Sequence, residues 1–249
     1  MAHKTLISGT AYAVKGGRDL IAGTGYSKKQ GKTLIDGTEH AISFDIPLNT
    51  ITPGAILYMN ESGSPVPFYI AKHDYESGLN GAGRTLVVRK DCYDMRAFSN
   101  SNNAYANGSL DSWLCNTYLK LLDADIQAAI GTTKFYYTPG NGNNTVTTLQ
   151  RAAFQLSLTE LGKSERYANK EGSALPIASK LWIAYRNGVK VEQWTRTPSK
   201  ADRYSVFFLG SDGYVGDMSG YYYGSRPAFT LPATTAVTAN TDGTYTLAA

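Results

Sequence analysis

A short pattern of apolar and polar residues occurs three times at the start of the chain. Residues 4–12, 18–26 and 32–40 each contain a Leu-Ile pair, a Gly-Thr step and a second short segment, and the copies begin 14 residues apart. Glycine at a fixed place between two short segments predicts strand–turn–strand units. Units this small cannot bury an apolar face alone. They are therefore either an edge sheet of the main fold or an attachment stub or short shaft in an oligomer.

The pattern changes near residue 44, where Pro and Thr become frequent, so we divide the chain into repeats (1–44) and a main domain (45–249). Short apolar and aromatic segments between Gly, Pro and Asn predict strands in the main domain. These segments are residues 66–71, 85–89, 135–138, 145–149, 153–156, 181–184, 204–209 and 228–231. Residues 78–83 are interpreted as a loop and residues 139–144 as an exposed hairpin tip.

One long helix is predicted between Ser109, which can cap it, and Gly131, which ends it. Apolar residues recur within it at intervals of three to four: Leu110, Leu114, Tyr118, Leu121, Leu122, Ile126 and Ile130. A second, short helix is predicted where Ser157 and Glu160 form a capping box before Gly162. Few helices among many short strands predict an α+β fold.

The composition excludes several classes of protein. With 42% apolar and 18% charged residues among 249, the chain can bury a core, and it contains no apolar run long enough to span a bilayer. A net charge of +4 with dispersed basic residues argues against nucleic-acid binding. The N-terminus lacks the apolar region of a secretory signal. The two cysteines, Cys92 and Cys115, match neither a disulfide scaffold nor a zinc or redox motif, and we expect mostly buried thiols.

The sequence contains few candidate catalytic residues and no recognisable catalytic motif. Its three histidines, His3, His40 and His73, have no metal-ligand spacing, and no nucleophile elbow, phosphate loop or dinucleotide motif is present. Two pairs of carboxylates, 91 with 94 and 123 with 125, lie close in sequence, but such pairs are usually solvated rather than catalytic. We therefore expect no enzymatic activity, no cofactor and no metal site.

Tyrosine is the unusual residue of this chain, with 18 Tyr against 8 Phe. Tyrosine suits recognition surfaces because its ring is large, rigid and amphipathic. The segment 194–229 places Tyr, Ser, Asp and Gly in loops between apolar strands, and period-two geometry cannot bury three successive tyrosines on one face. The candidate ligand-binding residues are Tyr204, Ser205, Asp212, Tyr214, Asp217, Ser219, Tyr221, Tyr222 and Tyr223.

A family resemblance appears at the same residues. The order Trp194-x-Arg196, a strand, and Gly224-x-Arg226-Pro227-Ala228-Phe229 resembles the C-terminal signature of phage and prophage tail-associated proteins with a C-type-lectin-like domain. Segments 86–91, 105–114 and 154–162 extend the likeness over residues 55–232 in the family's order, and the N-terminal repeats resemble the starts of tail proteins in phages of Gram-positive gut bacteria. The resemblance implies one or two helices on a twisted antiparallel sheet with long loops, preceded here by the small all-β repeat region.

The resemblance also assigns roles to residues. The structural framework comprises Trp182, Trp194, Arg196 and Arg226. The resemblance implies that Trp194, Arg196 and Arg226 are buried or half-buried, with each guanidinium group bound to backbone carbonyls or a carboxylate. Some relatives are targets of diversity-generating reverse transcription, and residues 204–223 have the Tyr, Ser and Asp content of such hypervariable surfaces. The chain departs from the formylglycine-forming branch, which needs cysteines in the C-terminal part, and from calcium-dependent lectins, whose Pro-containing triplets it lacks.

The expected function is that of a virion tail protein that binds a receptor on the host surface, a bacterial glycan or protein, and contacts other tail proteins. The expected assembly is a homotrimer, by analogy with trimeric fibres, and the expected partners include neither nucleic acid nor a membrane. Phage proteins leave the cell by lysis, which agrees with the missing secretory signal. Two alternatives remain: a structural tail or baseplate subunit without receptor contact, and a cell-wall hydrolase.

Overall fold

The computed structural model describes residues 45–99 and 101–248, together with the backbone of four N-terminal strands at residues 4–7, 10–13, 31–35 and 38–42. The first and third repeats each form an antiparallel strand pair, in which Ile7 lies opposite Thr10 and Ile35 opposite Thr38. The second repeat lies outside the described residues. The packing of the repeats and the boundary at residue 44 stay predictions.

The described strands, in chain order, are β1 (Lys4–Ile7), β2 (Thr10–Ala13), β3 (Gly31–Ile35), β4 (Thr38–Ile42), β5 (Ile46–Pro47), β6 (Ile56–Glu61), β7 (Ser64–Lys72), β8 (Arg84–Arg89), β9 (Met95–Ala97), β10 (Thr133–Tyr137), β11 (Thr147–Arg151), β12 (Ala153–Phe154), β13 (Ala184–Arg186), β14 (Val189–Val191), β15 (Gln193–Pro198), β16 (Val206–Leu209), β17 (Val215–Met218), β18 (Tyr222–Gly224), β19 (Ala228–Pro232), β20 (Ala236–Ala239) and β21 (Tyr245–Leu247). The α-helices are α1 (Ser77–Asn80), α2 (Ser109–Asn116) and α3 (Ala124–Ala129), and 3-10 turns cover Leu48–Thr50, Tyr118–Leu121 and Ala178–Leu181.

Two sheets organise the main domain. The larger has eight strands in the order β12-β19-β8-β7-β6-β21-β20-β5, and the smaller has five in the order β17-β16-β15-β18-β9. Neighbours are antiparallel except for the pairs β21–β6 and β15–β18, which are parallel. Helix α2 contacts β12 of the larger sheet and β9 of the smaller, so it joins their edges. The structure confirms a β-rich α+β fold.

The core is aromatic and lies where these elements meet. Phe68 of β7 meets Phe229 of β19 edge-on, with ring centroids 5.6 Å apart, and Phe135 of β10 stacks on Phe154 of β12 at 4.5 Å. All four rings are fully buried. Such contacts stabilise the core beyond the burial of their surface alone.

The long helix predicted between residues 109 and 131 is wrong, because the segment forms α2, a 3-10 turn and α3. Leu122 and Asp123 have extended backbone with ψ of 152° and 153°. The Ser62 N–H donates to the Leu121 carbonyl at 2.6 Å, and the Asn60 amide donates to the Asp123 carboxylate at 2.7 Å. The β6–β7 turn therefore occupies a carbonyl group that would accept a helical hydrogen bond if the helix continued. The three-to-four spacing of apolar residues is still present because α2 and α3 both face the same core. Ser109 is the first helical residue rather than the cap, which is Gly108.

Other predicted elements mostly have the expected type. Strands are present in seven of the eight predicted segments of the main domain, with shifted ends, and β10 and β11 form the predicted hairpin. Residues 181–184 are the exception, because only Ala184 lies in a strand, as the first residue of β13, and the Leu181 carbonyl accepts hydrogen bonds from the Arg226 and Gln193 side chains. The predicted loop 78–83 begins within the one-turn helix α1. The capping box exists, but it closes a turn and not a helix.

A buried arginine joins the smaller sheet to the rest of the domain. Arg196 of β15 is 0% exposed and donates to the Glu160 carboxylate at 2.6 Å, to the Tyr136 carbonyl at 2.8 Å and 3.1 Å, and to the Gln155 carbonyl at 2.9 Å. Its Nε also lies 3.9 Å from a Glu171 oxygen. Burial lowers the pKa of Arg196, but the carboxylates outweigh burial and raise it above the ordinary value.

Both carboxylates are held by further donors. Glu160 accepts the Tyr75 hydroxyl and, at 2.8 Å, the Ser157 N–H. Glu171 accepts the Thr138 N–H at 2.6 Å and the Thr197 hydroxyl at 2.8 Å. Burial still raises the pKa of Glu171 despite the nearby arginine. Two buried carboxylates thus depend on one guanidinium, and the network ties β15 to the β10–β11 hairpin and to the turn at residues 157–160.

A second arginine, Arg226, lies between β18 and β19 and is 2% exposed. It donates to the carbonyls of Arg89 at 3.0 Å, Leu181 at 2.9 Å and Lys90, and to the Gln193 side chain at 3.3 Å. Burial lowers its pKa, since its hydrogen-bond acceptors in the described part of the chain are neutral. The chain leaves the smaller sheet and enters the larger one at this residue.

We predict that Arg196→Met lowers the free energy of unfolding by about 3–5 kcal/mol, because Glu160 and Glu171 would remain buried without their cation. Arg196→Lys should also destabilise, since an ammonium cannot reproduce the fork of donors. Urea unfolding measures both. The matched control is Arg203→Met at an exposed arginine, which should change the free energy by about 0.5 kcal/mol or less. A loss below about 1 kcal/mol for Arg196→Met would contradict the prediction.

Candidate recognition surface

Four of the predicted ligand-binding tyrosines are exposed. Tyr204 is 61% exposed, Tyr214 52%, Tyr221 53% and Tyr222 66%. Large exposed aromatic side chains are uncommon enough to indicate contact surfaces when they cluster. Two of the four, Tyr214 and Tyr221, share a support.

Tyr223 is a correction to the predicted set, because it is only 9% exposed. Its ring lies 4.6 Å from Trp194 and 4.4 Å from Phe208. Burial raises the pKa of its hydroxyl. Strand geometry explains the difference: along β18 successive side chains alternate, so Tyr223 faces the aromatic layer and Tyr222 points to the other side of the sheet.

Tyr214 and Tyr221 rest on the same buried layer from two directions. Tyr221 stacks on Tyr223 with ring centroids 5.8 Å apart and planes 20° apart. Tyr214 meets Phe208 edge-on at 5.7 Å. Because the Phe208 and Tyr223 rings contact each other, the two exposed rings pack on the same pair of buried rings. We call Tyr214 and Tyr221, with Phe208 and Tyr223 beneath them, the tyrosine platform.

Met218 belongs to this surface and was missed from the sequence. It pairs with Val206 across the β16–β17 ladder, two residues from the Phe208–Gly216 pair, so it shares the face of Phe208. It is 38% exposed. The alternation 214, 216, 218 is the signal that would have found it.

Two glycines make room for the Tyr214 ring. A Cβ at Gly210 would overlap that ring, and a Cβ at Gly216 would stand 2.6 Å from the Phe208 ring and 3.2 Å from Tyr214. The intervening turn is closed by the Gly210 N–H, which donates to the Tyr214 carbonyl at 2.9 Å, and by the Tyr214 N–H, which donates to Asp212 at 3.0 Å. The exposed ring is therefore held in place before any ligand arrives.

The remaining predicted ligand residues do not join the platform. Asp212 is exposed and supports the turn, Asp217 lies on the Phe207 face of β17, and Ser219 is exposed beyond that strand. Tyr204 and the half-buried Ser205 belong to a separate loop, 199–205, in which Asp202 accepts both of their N–H groups at 2.6 Å. Partial burial raises the pKa of Asp202, but these hydrogen bonds outweigh it and lower the pKa below the usual range.

Asn103 holds the 199–205 loop and was also missed. It is 0% exposed, and its amide nitrogen donates to the carbonyls of Ser199, Asp202 and Ser205 at 3.0–3.1 Å. Its oxygen accepts the Asn141 N–H at 2.7 Å. The Asn103 side chain therefore makes hydrogen bonds to four backbone groups, and three of them lie in the 199–205 loop. The sequence shows it only as one of several residues in a Ser- and Asn-rich stretch.

The framework tryptophans lie behind this surface. Trp194 is 1% exposed and donates its indole N–H to the Arg96 carbonyl at 2.8 Å. Trp182 is half-buried and donates to the Leu161 carbonyl at 2.7 Å. Trp182 also approaches the Tyr214 turn, since a Cβ at Gly213 would lie 3.5 Å from the Trp182 Cβ.

The described residues contain no group of three His, Cys, Asp or Glu arranged to hold a metal ion. Within the same residues, no helix has the length and apolar character needed to cross a membrane. The two cysteines are free. Burial raises the pKa of Cys92 to about 11 and also raises that of Cys115, so both remain thiols near neutral pH.

The platform, the 199–205 loop and all four framework residues lie in a segment that matches a family model. Residues 82–233 match the domain of unknown function DUF6273. The chain belongs to this family. The DUF6273 segment holds the whole five-stranded sheet but leaves β5, β6, β7, β20 and β21 of the larger sheet outside it. No curated protein and no solved structure matches the chain.

We predict that Gly210→Ala displaces the Tyr214 ring while changing stability little, because an exposed side chain can rotate away. Gly216→Ala should cost about 1–3 kcal/mol, because the buried Phe208 ring cannot move as freely. Gly78→Ala is the control, since a Cβ there meets nothing within 4 Å. Loss of nuclear Overhauser contacts between the rings of Tyr214 and Phe208 measures the displacement, and urea unfolding measures stability. Intact ring contacts in Gly210→Ala would contradict the prediction.

Proposed function

We propose that this DUF6273 protein is a virion tail-associated receptor-binding protein with a C-type-lectin-like domain, and that the tyrosine platform contacts a ligand on the bacterial surface. The observation that carries the proposal is the pair of exposed rings, Tyr214 and Tyr221, held on the buried Phe208–Tyr223 contact. Gly210 and Gly216 leave the space that the Tyr214 ring occupies, and the buried aromatic pair supports both exposed rings from beneath.

The placement of the motif residues supports the fold assignment. Trp194, Arg196 and Arg226, which carry the resemblance to C-type-lectin-like domains, are all buried. The residues between them in sequence supply the exposed tyrosines. A buried framework that carries an exposed, loop-borne surface is what a recognition scaffold requires.

The physical chemistry of the platform suits a glycan or a protein surface. A fixed tyrosine ring loses little conformational entropy on binding, and it offers an apolar face with a hydroxyl at its edge. Each such contact is weak, so a tail protein would gain strength from several copies. In the proposed homotrimer, simultaneous engagement raises the apparent affinity by a factor of about 10² or more.

We propose no catalytic role. The most enclosed carboxylates, Glu160 and Glu171, are both 0% exposed and serve Arg196, so a substrate cannot reach them. The hydrolase alternative would need an accessible acid and a nucleophile or activated water.

The binding test uses labelled protein and a panel of Gram-positive gut bacteria. We predict that the double variant Tyr214→Ala, Tyr221→Ala does not bind the strains that the wild type binds. Folding should be intact, as circular dichroism and urea unfolding would report. Tyr185→Ala, a tyrosine 38% exposed on the separate β13–β14 hairpin, is the matched control and should bind normally. Tyr223→Ala should instead unfold more easily, by about 3 kcal/mol, since it removes a core ring.

Undiminished binding by the folded double variant would overturn the receptor-binding proposal. It would favour the structural tail or baseplate subunit, for which the same surface would contact another virion protein. Release of soluble wall fragments by the wild type would favour the hydrolase instead.

The proposed trimer is tested separately. Light scattering on the eluting full-length protein should give a mass three times the 27.0 kDa of one chain. A mass of one chain at micromolar concentration would contradict the trimer and leave the platform to act as a single weak site.

A further inference from the structure

A cavity separate from the tyrosine platform is lined by residues of the segment 159–174. It has a volume of about 440 Å³, is partly open to solvent, and lies between the turn at residues 159–163 and the segment 164–174. Small-molecule sites are typically about 300–1,000 Å³. The cavity is therefore large enough for a monosaccharide or a ligand of similar size.

The walls of this cavity are held by contacts outside it. The Leu175 N–H donates to the Glu160 carbonyl at 2.9 Å, which closes the loop at its base. The Lys200 N–H donates to the Tyr167 carbonyl at 2.9 Å, and the Asn169 amide donates to the Asn144 carbonyl at 2.6 Å. Three different parts of the chain therefore fix the loop, and the cavity exists without a ligand to shape it.

The lining is mostly apolar by area, and its charged side chains carry an excess of positive charge. Lys163 and Lys170 contribute two ammonium groups, and Glu165 contributes the one carboxylate. Neither lysine forms an ion pair with a described residue. Thr159 accepts the Glu171 N–H at 3.0 Å through its hydroxyl oxygen, which leaves the hydroxyl proton available to an acceptor. Among the charged lining side chains, positive charge thus exceeds negative charge by one.

Lys163 is positioned rather than free. Its ammonium nitrogen lies 3.8 Å from the centroid of the Trp182 ring, a cation–π contact that holds the side chain at the cavity wall. Trp182 in turn approaches Gly213 in the turn that carries Tyr214. The same tryptophan therefore connects the cavity to the platform.

We propose that this cavity binds the anionic group of a polyhydroxylated ligand, a sugar that carries a carboxylate or a phosphate. Lys163 and Lys170 supply the charge, and Thr159 with the neighbouring Ser173 supplies hydroxyl contacts. The proposal rests on the cavity alone and does not require the receptor-binding role. If both hold, one oligosaccharide spans the platform and the cavity across Trp182.

The test titrates the full-length protein with three probes, glucuronate, glucose 6-phosphate and glucose, while amide chemical shifts are followed by NMR. We expect at least one anionic probe to shift residues 159–174 and to bind about 10-fold more tightly than glucose. The tighter of the two anionic probes identifies the anionic group. Raising the ionic strength to about 1 M, where the screening length falls to about 3 Å, should remove most of this difference.

Charge variants make the test specific. Lys163→Gln with Lys170→Gln should reduce the affinity for the anionic probe to that for glucose, whereas Glu165→Gln should increase it a few-fold. Lys190→Gln, at an exposed lysine on β14, is the matched control and should change nothing. Equal affinity for all three probes, or anionic binding that survives in the folded double lysine variant, would overturn the proposal.

The two proposals fail independently. The Tyr214→Ala, Tyr221→Ala variant should retain the shifts that the anionic probe causes at residues 159–174. If those shifts persist while cell binding is unaffected by the tyrosine changes, the cavity proposal stands and the receptor-binding proposal falls.

Discussion

The buried ion pair of Arg196 with Glu160 is the constraint on which the rest of the domain depends. A guanidinium that is wholly removed from water must have every donor satisfied, and here the acceptors come from the β10–β11 hairpin, the residue after β12 and the turn at residues 157–160. Elements far apart in sequence are thereby brought to one point. The loops that join these elements can be irregular, because the hydrogen bonds to Arg196 already fix the positions of the elements.

The tyrosine platform and the cavity are both supported by residues next to this buried ion pair. Trp194 lies two residues before Arg196 on β15, and with Phe208 and Tyr223 it forms the layer on which Tyr214 and Tyr221 rest. The cavity at residues 159–174 begins next to Glu160 and ends where Leu175 bonds back to it. Both candidate binding surfaces are therefore extensions of one buried network.

Much of the fold could be predicted from the local pattern of apolar and polar residues. The prediction failed where two segments compete for the same backbone hydrogen bonds. The strands around residues 66–71, 85–89 and 228–231 were recognisable because buried strands form continuous apolar runs. The long helix was not interpreted correctly, since its periodicity is real but the β6–β7 turn removes the hydrogen bonds of residues 121–123. At the site, Tyr214 and Tyr221 were identified by composition, while Asn103 and Met218 were missed because their roles arise only from neighbours distant in sequence.

Periodicity and residue type are enough to establish the α+β class, the three repeats, the framework arginines and tryptophans, and the richness of tyrosine near the C-terminus. The packing of the folded chain sets which tyrosines are exposed, places Tyr223 in the core and Tyr214 over two glycines, and forms the cavity at residues 159–174. The reason is physical: the exposure of a side chain depends on what packs against it, and the packing partners here come from strands and loops that the chain order separates.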